Sequence, residues 1–462
     1  MNEYRTNSGR QLALVAIAIL AILWIAPACA RAGDNQSSMD APQGTVTASP
    51  SPDPGEAAKP DLLDGTLSAK GELEADEAMA AQPNLSAVMA AKQRFQERSG
   101  ITFGISAGVL AQGYSSAAFG RDDSTGGKFA FDANVPLANL GKPNALTFDV
   151  AVESRGPLGV GQPPLAAGIL AGSAIPTAAT WGTFNVGVTQ AYVRQSLAGN
   201  RFQYAVGKLF APNYVDAYPF FDDNRQFLSL AFSTNPTIAS PLRGFGLVAS
   251  GFPGNGALYL SGGMFTANSS DTGSTIGDFF SRNEHFYFFE AGETSFARAG
   301  VPINARGPLD SNNVHVTFWY RNALTPRGPE DGFLRPSPEA YGVAFSANYL
   351  AGENLMWFLR GGIGKGSNFG TGALAGGIGW RPPNAPRDLF GIGVGWTNPA
   401  PPATIPVPLP SLRSQYTGEL FYRIALTGNL ALTPDYQLLY HPSFSPRQTT
   451  LSVYSLRARV TL

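Results

Sequence analysis

The chain ends in VYSLRARVTL (453–462), and the alternation in this stretch decides the fold. Tyr454, Leu456, Ala458, Val460 and Leu462 share one parity; Val453, Ser455, Arg457, Arg459 and Thr461 share the other. Successive strand side chains point to opposite faces, so the segment presents one apolar wall and one polar wall. The pattern recurs upstream. Leu430, Leu432, Tyr436, Leu438 and Tyr440 oppose Asn429, Thr433, Asp435 and Gln437, and Tyr416, Leu420, Tyr422 and Ile424 oppose Gln415, Thr417, Glu419 and Arg423. Val314, Val316, Phe318 and Tyr320 oppose His315, Thr317, Trp319 and Arg321; Leu146, Phe148, Val150 and Val152 oppose Thr147, Asp149, Glu153 and Arg155.

Alternation alone also fits a soluble sandwich; spacing separates the two. Strands are expected near 101–111, 127–134, 144–153, 182–194, 201–210, 243–250, 257–266, 284–292, 313–322, 339–349, 355–364, 372–381, 388–397, 413–424, 429–440 and 448–462. That is an even number, sixteen, joined by links that mostly alternate between short (195–200, 251–256, 350–354, 382–387, 425–428) and long (112–126, 154–181, 211–242, 267–283, 323–338, 398–412). The links 293–312 and 365–371 break the rule. Even strand counts, short turns at one end and long loops at the other mark outer-membrane barrels. In hydrocarbon a sheet must close on itself to pair its backbone. The fold expected is therefore all-β: a closed antiparallel transmembrane β-barrel over 101–462, its Leu/Val/Phe face toward lipid. Its polar face would surround an interior too wide for side chains to fill, and so holding water. Tyr349, Trp357, Trp380, Trp396, Tyr416 and Tyr440, at strand ends, are placed in interfacial girdles.

Composition supports this. Of 462 residues, 32 are Lys or Arg and 33 are Asp or Glu, a net charge of −1. Only 14% are charged, against the roughly 25% usual for soluble proteins. The absence of a basic tract disfavours nucleic acid as a partner. Beyond residue 28 no apolar run approaches the ~20 residues of a spanning helix.

Ahead of the barrel the chain changes character. Residues 1–11 are polar and carry Arg5 and Arg10, 12–28 are apolar, and Ala30-Arg31-Ala32 fits a small-x-small cleavage site. This is a secretory signal layout, read as 1–32. Cys29, the one cysteine, falls inside it, so no disulfide framework is expected. Residues 33–83, rich in Ser, Pro, Ala and acidic residues, read as a disordered acidic tether. Between Asp34 and Gly100 there are eleven acidic and five basic residues. Leu85, Val88, Met89, Lys92 and Phe95 lie along one helical stripe, giving a short amphipathic helix over 84–100.

Three stretches carry a family resemblance: YTGELFYRIALTGNLALTPDYQLLYHPS (416–443), FQYAVGKLFAPNYVDAYPFFDDNRQFLSLAFSTNPTIASP (202–241) and RSGITFGISAGVLAQG (98–113). They resemble the closing strands, a long internal segment and the first strand of the carbohydrate-selective, OprB-type outer-membrane porins. The resemblance covers about 95–462. It departs in two places: Ala90 to Arg98 replace the family's Trp-Gly-Gly-Arg-type sequence, and the chain ends in Leu462 rather than an aromatic. It implies passive, sugar-preferring diffusion through sixteen strands in the outer membrane of a Gram-negative-type bacterium. The apolar alternation of 454–462 matches the terminal signal that engages the barrel-assembly machinery.

Chemical motifs are sparse. Gly362-Ile363-Gly364-Lys365-Gly366-Ser367 lacks the spacing of a phosphate loop and reads as a strand end and turn. The histidines His285, His315 and His441 are dispersed, without cysteines to make a zinc site, and no metal or cofactor is expected. The site is sought in the lining. Asp149, Glu153, Arg155, Arg321, Arg360, Glu419 and Arg423 fall on or near the polar parity, where guanidinium forks and carboxylates bond sugar hydroxyls. Trp319 and Phe421 offer faces on which a sugar ring stacks. Phe221, Asp222, Asp223 and Arg225, in the long link 211–242, are candidates for a constriction that folds inward. The leading reading is a water-filled pore for small polar solutes, with outer-membrane lipid and small carbohydrates as partners and no enzymatic activity. A structural or adhesive barrel with a plugged lumen is the alternative. A barrel hydrolase using His285 comes last, because no nucleophile is marked.

Overall fold

The computed structural model of the chain describes residues 62–63, 86–139, 144–159, 161–296, 311–325, 337–400 and 412–462. The leader read at 1–32 lies outside the described residues, as does the tether at 33–83 apart from Leu62 and Leu63.

Sixteen antiparallel strands close into one barrel in which every strand pairs with its sequence neighbours, and β1 pairs with β16. They are β1 Thr102–Tyr114, β2 Asp123–Ala138, β3 Leu146–Pro157, β4 Phe184–Leu197, β5 Phe202–Phe210, β6 Arg243–Gly251, β7 Leu258–Thr266 and β8 His285–Phe296. The second half comprises β9 Ser311–Arg321, β10 Ala340–Ala351, β11 Leu355–Lys365, β12 Gly370–Trp380, β13 Leu389–Pro399, β14 Gln415–Ala425, β15 Leu430–Tyr440 and β16 Thr450–Thr461. The closing register runs from Ser106 opposite Thr461 to Tyr114 opposite Val453. Each expected strand is present. The largest difference is β2, which extends about four residues beyond both expected ends because it pairs along its length with β1 and β3.

The termini of the barrel and the tight turns share one end. The turn 198–200 is made by three consecutive residues of positive φ, Ala198, Gly199 and Asn200, and the β10–β11 turn uses Gly352 at φ 71°. Tight reversals between strands favour such left-handed residues. By the short-turn rule this is the periplasmic end. Gly207, at φ 142°, lies within β5, where a Cβ would lie 2.4 Å from the Ala191 carbonyl oxygen.

The outer face is apolar. Val314, Val316, Phe318, Leu420, Leu438, Tyr454 and Leu456 are exposed on it. Aromatic pairs cross between strands at both ends: Tyr349 opposite Trp357, ring centroids 6.1 Å apart, at the short-turn end, and Tyr416 opposite Tyr440, also 6.1 Å, at the other. Tyr341 and Tyr349 stand on the same strand eight residues apart, or ~26 Å at ~3.3 Å per residue, which suits the ~25 Å apolar band of such barrels.

Helix α1, Ser86–Ser99, leads into β1. Its Phe95 meets Phe103 edge-on at 5.6 Å, and Lys92 Nζ donates to the Leu462 carbonyl oxygen at 3.3 Å, so the helix sits across the β1–β16 seam. Among the described residues three further α-helices, α2 (Pro164–Ala171), α3 (Leu230–Ser233) and α4 (Ile276–Ser281), lie in the long connections.

The interior is narrower than the strand count alone suggests. Two connections, 158–183 and 211–242, fold inward and occupy much of it. Phe210, Tyr218, Phe220, Phe221, Phe227 and Phe232 form a buried cluster with the inward wall residues Phe358, Leu389 and Phe421. Phe227 is central, with its ring centroid 5.0 Å from Phe232, 5.9 Å from Phe220, 5.7 Å from Phe358 and 4.9 Å from Phe421. The alternation in the sequence suggests a mostly polar inward parity with open aromatic faces at Trp319 and Phe421. Aromatic residues on that parity instead receive the apolar side of the connection, because burying apolar surface drives it against the wall.

Candidate functional site

The connection 158–183 begins with α2, whose first residue, Pro164, needs no N–H partner. It ends on Gly172 in the left-handed conformation, with φ 117°. The chain then turns inward. Ala174 N–H donates to Gln415 Oε1 (3.0 Å), and the Thr177 carbonyl accepts from Gln437 Nε2 (2.8 Å). The second connection, 211–242, runs beside it. Ala179 N–H donates to the Leu228 carbonyl (2.9 Å), Leu230 N–H to the Pro176 carbonyl (3.0 Å) and Thr180 N–H to Asp223 Oδ2 (2.6 Å). Wall side chains hold this pair of segments. Glu419 accepts from the backbone N–H groups of Leu228 and, at 3.0 Å, Ser229. Arg457 donates to the carbonyls of Asp223 (2.6 Å) and Gln226 (2.9 Å), and Arg360 pairs with Asp216 and lies 4.1 Å over the Tyr218 ring. His315 Nε2 lies 3.1 Å from Asp216 Oδ1.

Between the two connections and β1–β6 and β16 a narrow polar cleft stays open. Its lining includes Lys128, Arg155, Arg243, Arg457 and Arg459, with Asp132, Glu153, Gln190 and Asn224 as polar partners and Trp181 and Phe210 as aromatic surface. Five cationic side chains thus face two carboxylates. Glu153 is shared: Arg155 pairs with it, Arg243 Nη2 lies 3.1 Å from its Oε1, and Arg243 Nη1 reaches Asp271 at 2.8 Å. Lys128 Nζ bonds Thr180 Oγ1, donates to Asn224 Oδ1 (2.8 Å) and lies 3.4 Å from Asp223 Oδ1, over the Trp181 ring at 4.4 Å. These contacts fix the positions of the charged groups. The cleft is thus a preset array of donors and acceptors, strengthened by the low-dielectric wall.

The residues singled out from sequence divide by place. Glu153 and Arg155 line the cleft. Asp222, which pairs with Arg225, and Asp223 stand on the connection that borders it, while Phe221 packs 6.0 Å from Phe210 beneath. Arg360 and Glu419 hold that connection. The others lie apart. Asp149 accepts from Asn134 (2.7 Å) and Thr147 (2.8 Å) within the wall, Arg321 donates to Ser337 Oγ (2.7 Å), and Arg423 donates to the Arg387 carbonyl (3.1 Å). The expectation that Trp319 and Phe421 offer open faces does not hold. They are 3% and 1% exposed, with Trp319 stacked on Phe286 at 6.2 Å and Phe421 beneath Phe227.

Sequence reasoning passed over Lys128, Thr180, Trp181, Arg243, Arg457 and Arg459. Arg457 and Arg459 stood on the polar parity of the last strand and were legible there. Thr180 and Trp181 carried no signal, since nothing local marks which long connection turns inward.

Similarity to known proteins is concentrated at the C-terminal end. Residues 381–462, which hold β13–β16, match the model of the carbohydrate-selective porin, OprB family. No curated protein matches the chain. Among solved structures, Pseudomonas putida OprB at high pH is similar with a TM-score of 0.62 at 14% identity, over 81% of this chain and 97% of that one. The low-pH structure of the same protein gives 0.45 at 11% identity, over 82% and 98%. A mutant porin of Rh. blastica gives 0.43 at 9% identity, over 78% and 100%.

Proposed function

We propose that the chain, an OprB-type barrel by its terminal strands and its fold, is an outer-membrane porin through which small carbohydrates diffuse passively. The observation that carries this reading is the cleft lined by charged and amide side chains inside a closed barrel whose outer face is apolar. A sugar entering it gives up hydrogen bonds to water and takes up bonds to the guanidinium groups of Arg155, Arg243 and Arg459, to the carboxylates of Glu153 and Asp132, and to the Asn224 and Gln190 amides. Planar forks and paired acceptors suit vicinal hydroxyls. Because the charged groups are already paired with one another, a neutral sugar competes for part of their bonding only, and binding stays weak enough for release. Trp181 and Phe210 supply apolar area for the ring faces. We further read 1–32 as a leader removed on export and 454–462 as the segment offered to the assembly machinery.

The purified protein in a planar bilayer should give ohmic current steps that added sugar reduces. Proteoliposomes containing it should swell in small sugars and progressively less as sugar size rises. Electrical silence under all conditions would end this reading.

A further inference from the structure

Helix α1 rests on the outside of the barrel wall. Ser106 and Gly108 of β1 face the cleft, so Phe103, of the other parity, points outward. Lys128, Ala130 and Asp132 of β2 face the cleft too, so Phe131 also points outward, and its ring stacks on Phe103 with centroids 6.3 Å apart. Phe95 of α1 meets that pair edge-on through Phe103, at the short-turn end of the wall.

The faces of α1 are sorted around this contact. Met89, Lys92 and Gln96 are half-buried on the barrel side, and Lys92 Nζ lies 5.7 Å from the centre of the Phe103 ring. Val88 and Phe95, two turns apart on one line of the helix, are 44% and 46% exposed. Arg94 and Arg98 are exposed along the next line, and Gln93 donates to Glu97 (2.9 Å) on the opposite face. The helix carries three basic side chains and one acidic. An exposed apolar line flanked by base and backed by polar groups is the cross-section of a helix lying in a membrane interface. The apolar line also continues the lipid-facing surface of Phe103 and Phe131, so the medium that covers that wall covers it as well.

We propose that α1 is an interfacial foot: Val88 and Phe95 enter the acyl region of the periplasmic leaflet, and Arg94 and Arg98 bind the phosphates of anionic phospholipid there. This goes beyond the porin reading, since it needs the barrel to lie in a bilayer but is indifferent to what the pore carries. Guanidinium forks match phosphate oxygens in pairs. High salt weakens the electrostatic part. The seated helix holds the entry to β1 beside the final strand, where Lys92 bonds the Leu462 carbonyl.

The test uses the chain from residue 33, in which an introduced cysteine is the only one. Ala91 and Gln93 are both exposed and nearly opposite one another on the helix. A fluorophore on Ala91→Cys, in vesicles of phosphatidylcholine and phosphatidylglycerol, should be quenched by lipid bearing a nitroxide near the top of its acyl chain. The same fluorophore on Gln93→Cys should be quenched far less. Nitroxide-labelled phosphatidylglycerol should be enriched around residue 91 over labelled phosphatidylcholine by about five-fold, the factor that ~1 kcal/mol for a basic residue at a membrane surface represents. Arg94→Gln with Arg98→Gln should remove that enrichment and keep quenching by phosphatidylcholine, whereas Phe95→Ser should reduce quenching by both lipids. Equal quenching at residues 91 and 93, or none at 91, would overturn the seating of the helix. Equal quenching by the two lipids in the parent would overturn the recognition of anionic headgroups. A fluorophore on Val316→Cys, on the outer face of β9, must be quenched if the barrel spans the vesicle wall; its failure would sink the membrane reading itself and the foot with it.

Discussion

The two sides of the barrel interior are built on opposite principles. Against β10–β14 the lumen is filled with phenylalanine, wall and connection interlocked as in a soluble core. Against β1–β6 and β16 it is open and lined largely by basic and acidic side chains. Sixteen strands enclose more space than wall side chains can fill. The chain fills one side with its own connection and thereby sets the width of the other. On the porin reading the aromatic side is the anchor and the charged side the passage, so changes on the first should act on the second through position, and changes on the second should act through chemistry.

The strongest way to break this division is Phe227→Ala. Removing the central ring of the aromatic cluster should cost ~3–5 kcal/mol of connection stability. It should expose 211–242 to protease and raise single-channel conductance, while the barrel itself still migrates as a folded species. If conductance and proteolysis stay at parental values, the aromatic side is not what positions the cleft. Glu419→Ala should act in the same direction with less force. It leaves the Leu228 and Ser229 N–H groups without their carboxylate, at ~1–3 kcal/mol, and current recordings should show added opening noise. On the charged side, Arg459→Ala should leave the proteolysis pattern unchanged and weaken block of current by sugar by roughly two- to ten-fold, a loss of ~0.5–1.5 kcal/mol in one hydrogen-bonded contact. A change in proteolysis without a change in sugar block would reverse the roles assigned to the two sides. The smallest effect belongs outside both. Tyr349→Ala removes one girdle pair worth ~0.2–1 kcal/mol, and should lower the temperature at which the folded band disappears without altering current.

Much of the barrel was legible because its two determinants are local. Period-two alternation marks each strand and its lipid face, as in 453–462, and tight turns announce themselves by residues such as Gly199-Asn200. The cleft was legible only in part, because parity states which face a residue takes and not what covers it. Arg360 and Arg459 share the inward parity of their strands, yet one holds a connection and the other lines open space. The difference lies in where 158–183 and 211–242 fold. Phe358 and Phe421, aromatic residues on an otherwise polar parity, were the available sign of that inward packing, and reading Phe421 as a sugar platform missed it. Trp181 had no sign of its own. It reaches the cleft because Gly172 turns the chain after α2, and because Gln415 and Gln437 bond the backbone at Ala174 and Thr177.

The seam between the first and last strands has a consequence for biogenesis. β1 is among the earliest parts of the barrel to be synthesised, and its partner β16 is the latest, so its free edge must be kept from sticking to other chains until translation has ended. Closure is then the slowest kind of pairing, since it joins residues far apart in the chain, such as Ser106 and Thr461. Lys92, reaching the final residue from just upstream of β1, is placed to clasp the two ends once they meet. A nascent product truncated by one strand would bring β1 beside β15, which runs parallel to it, and the antiparallel closing register seen here could not form.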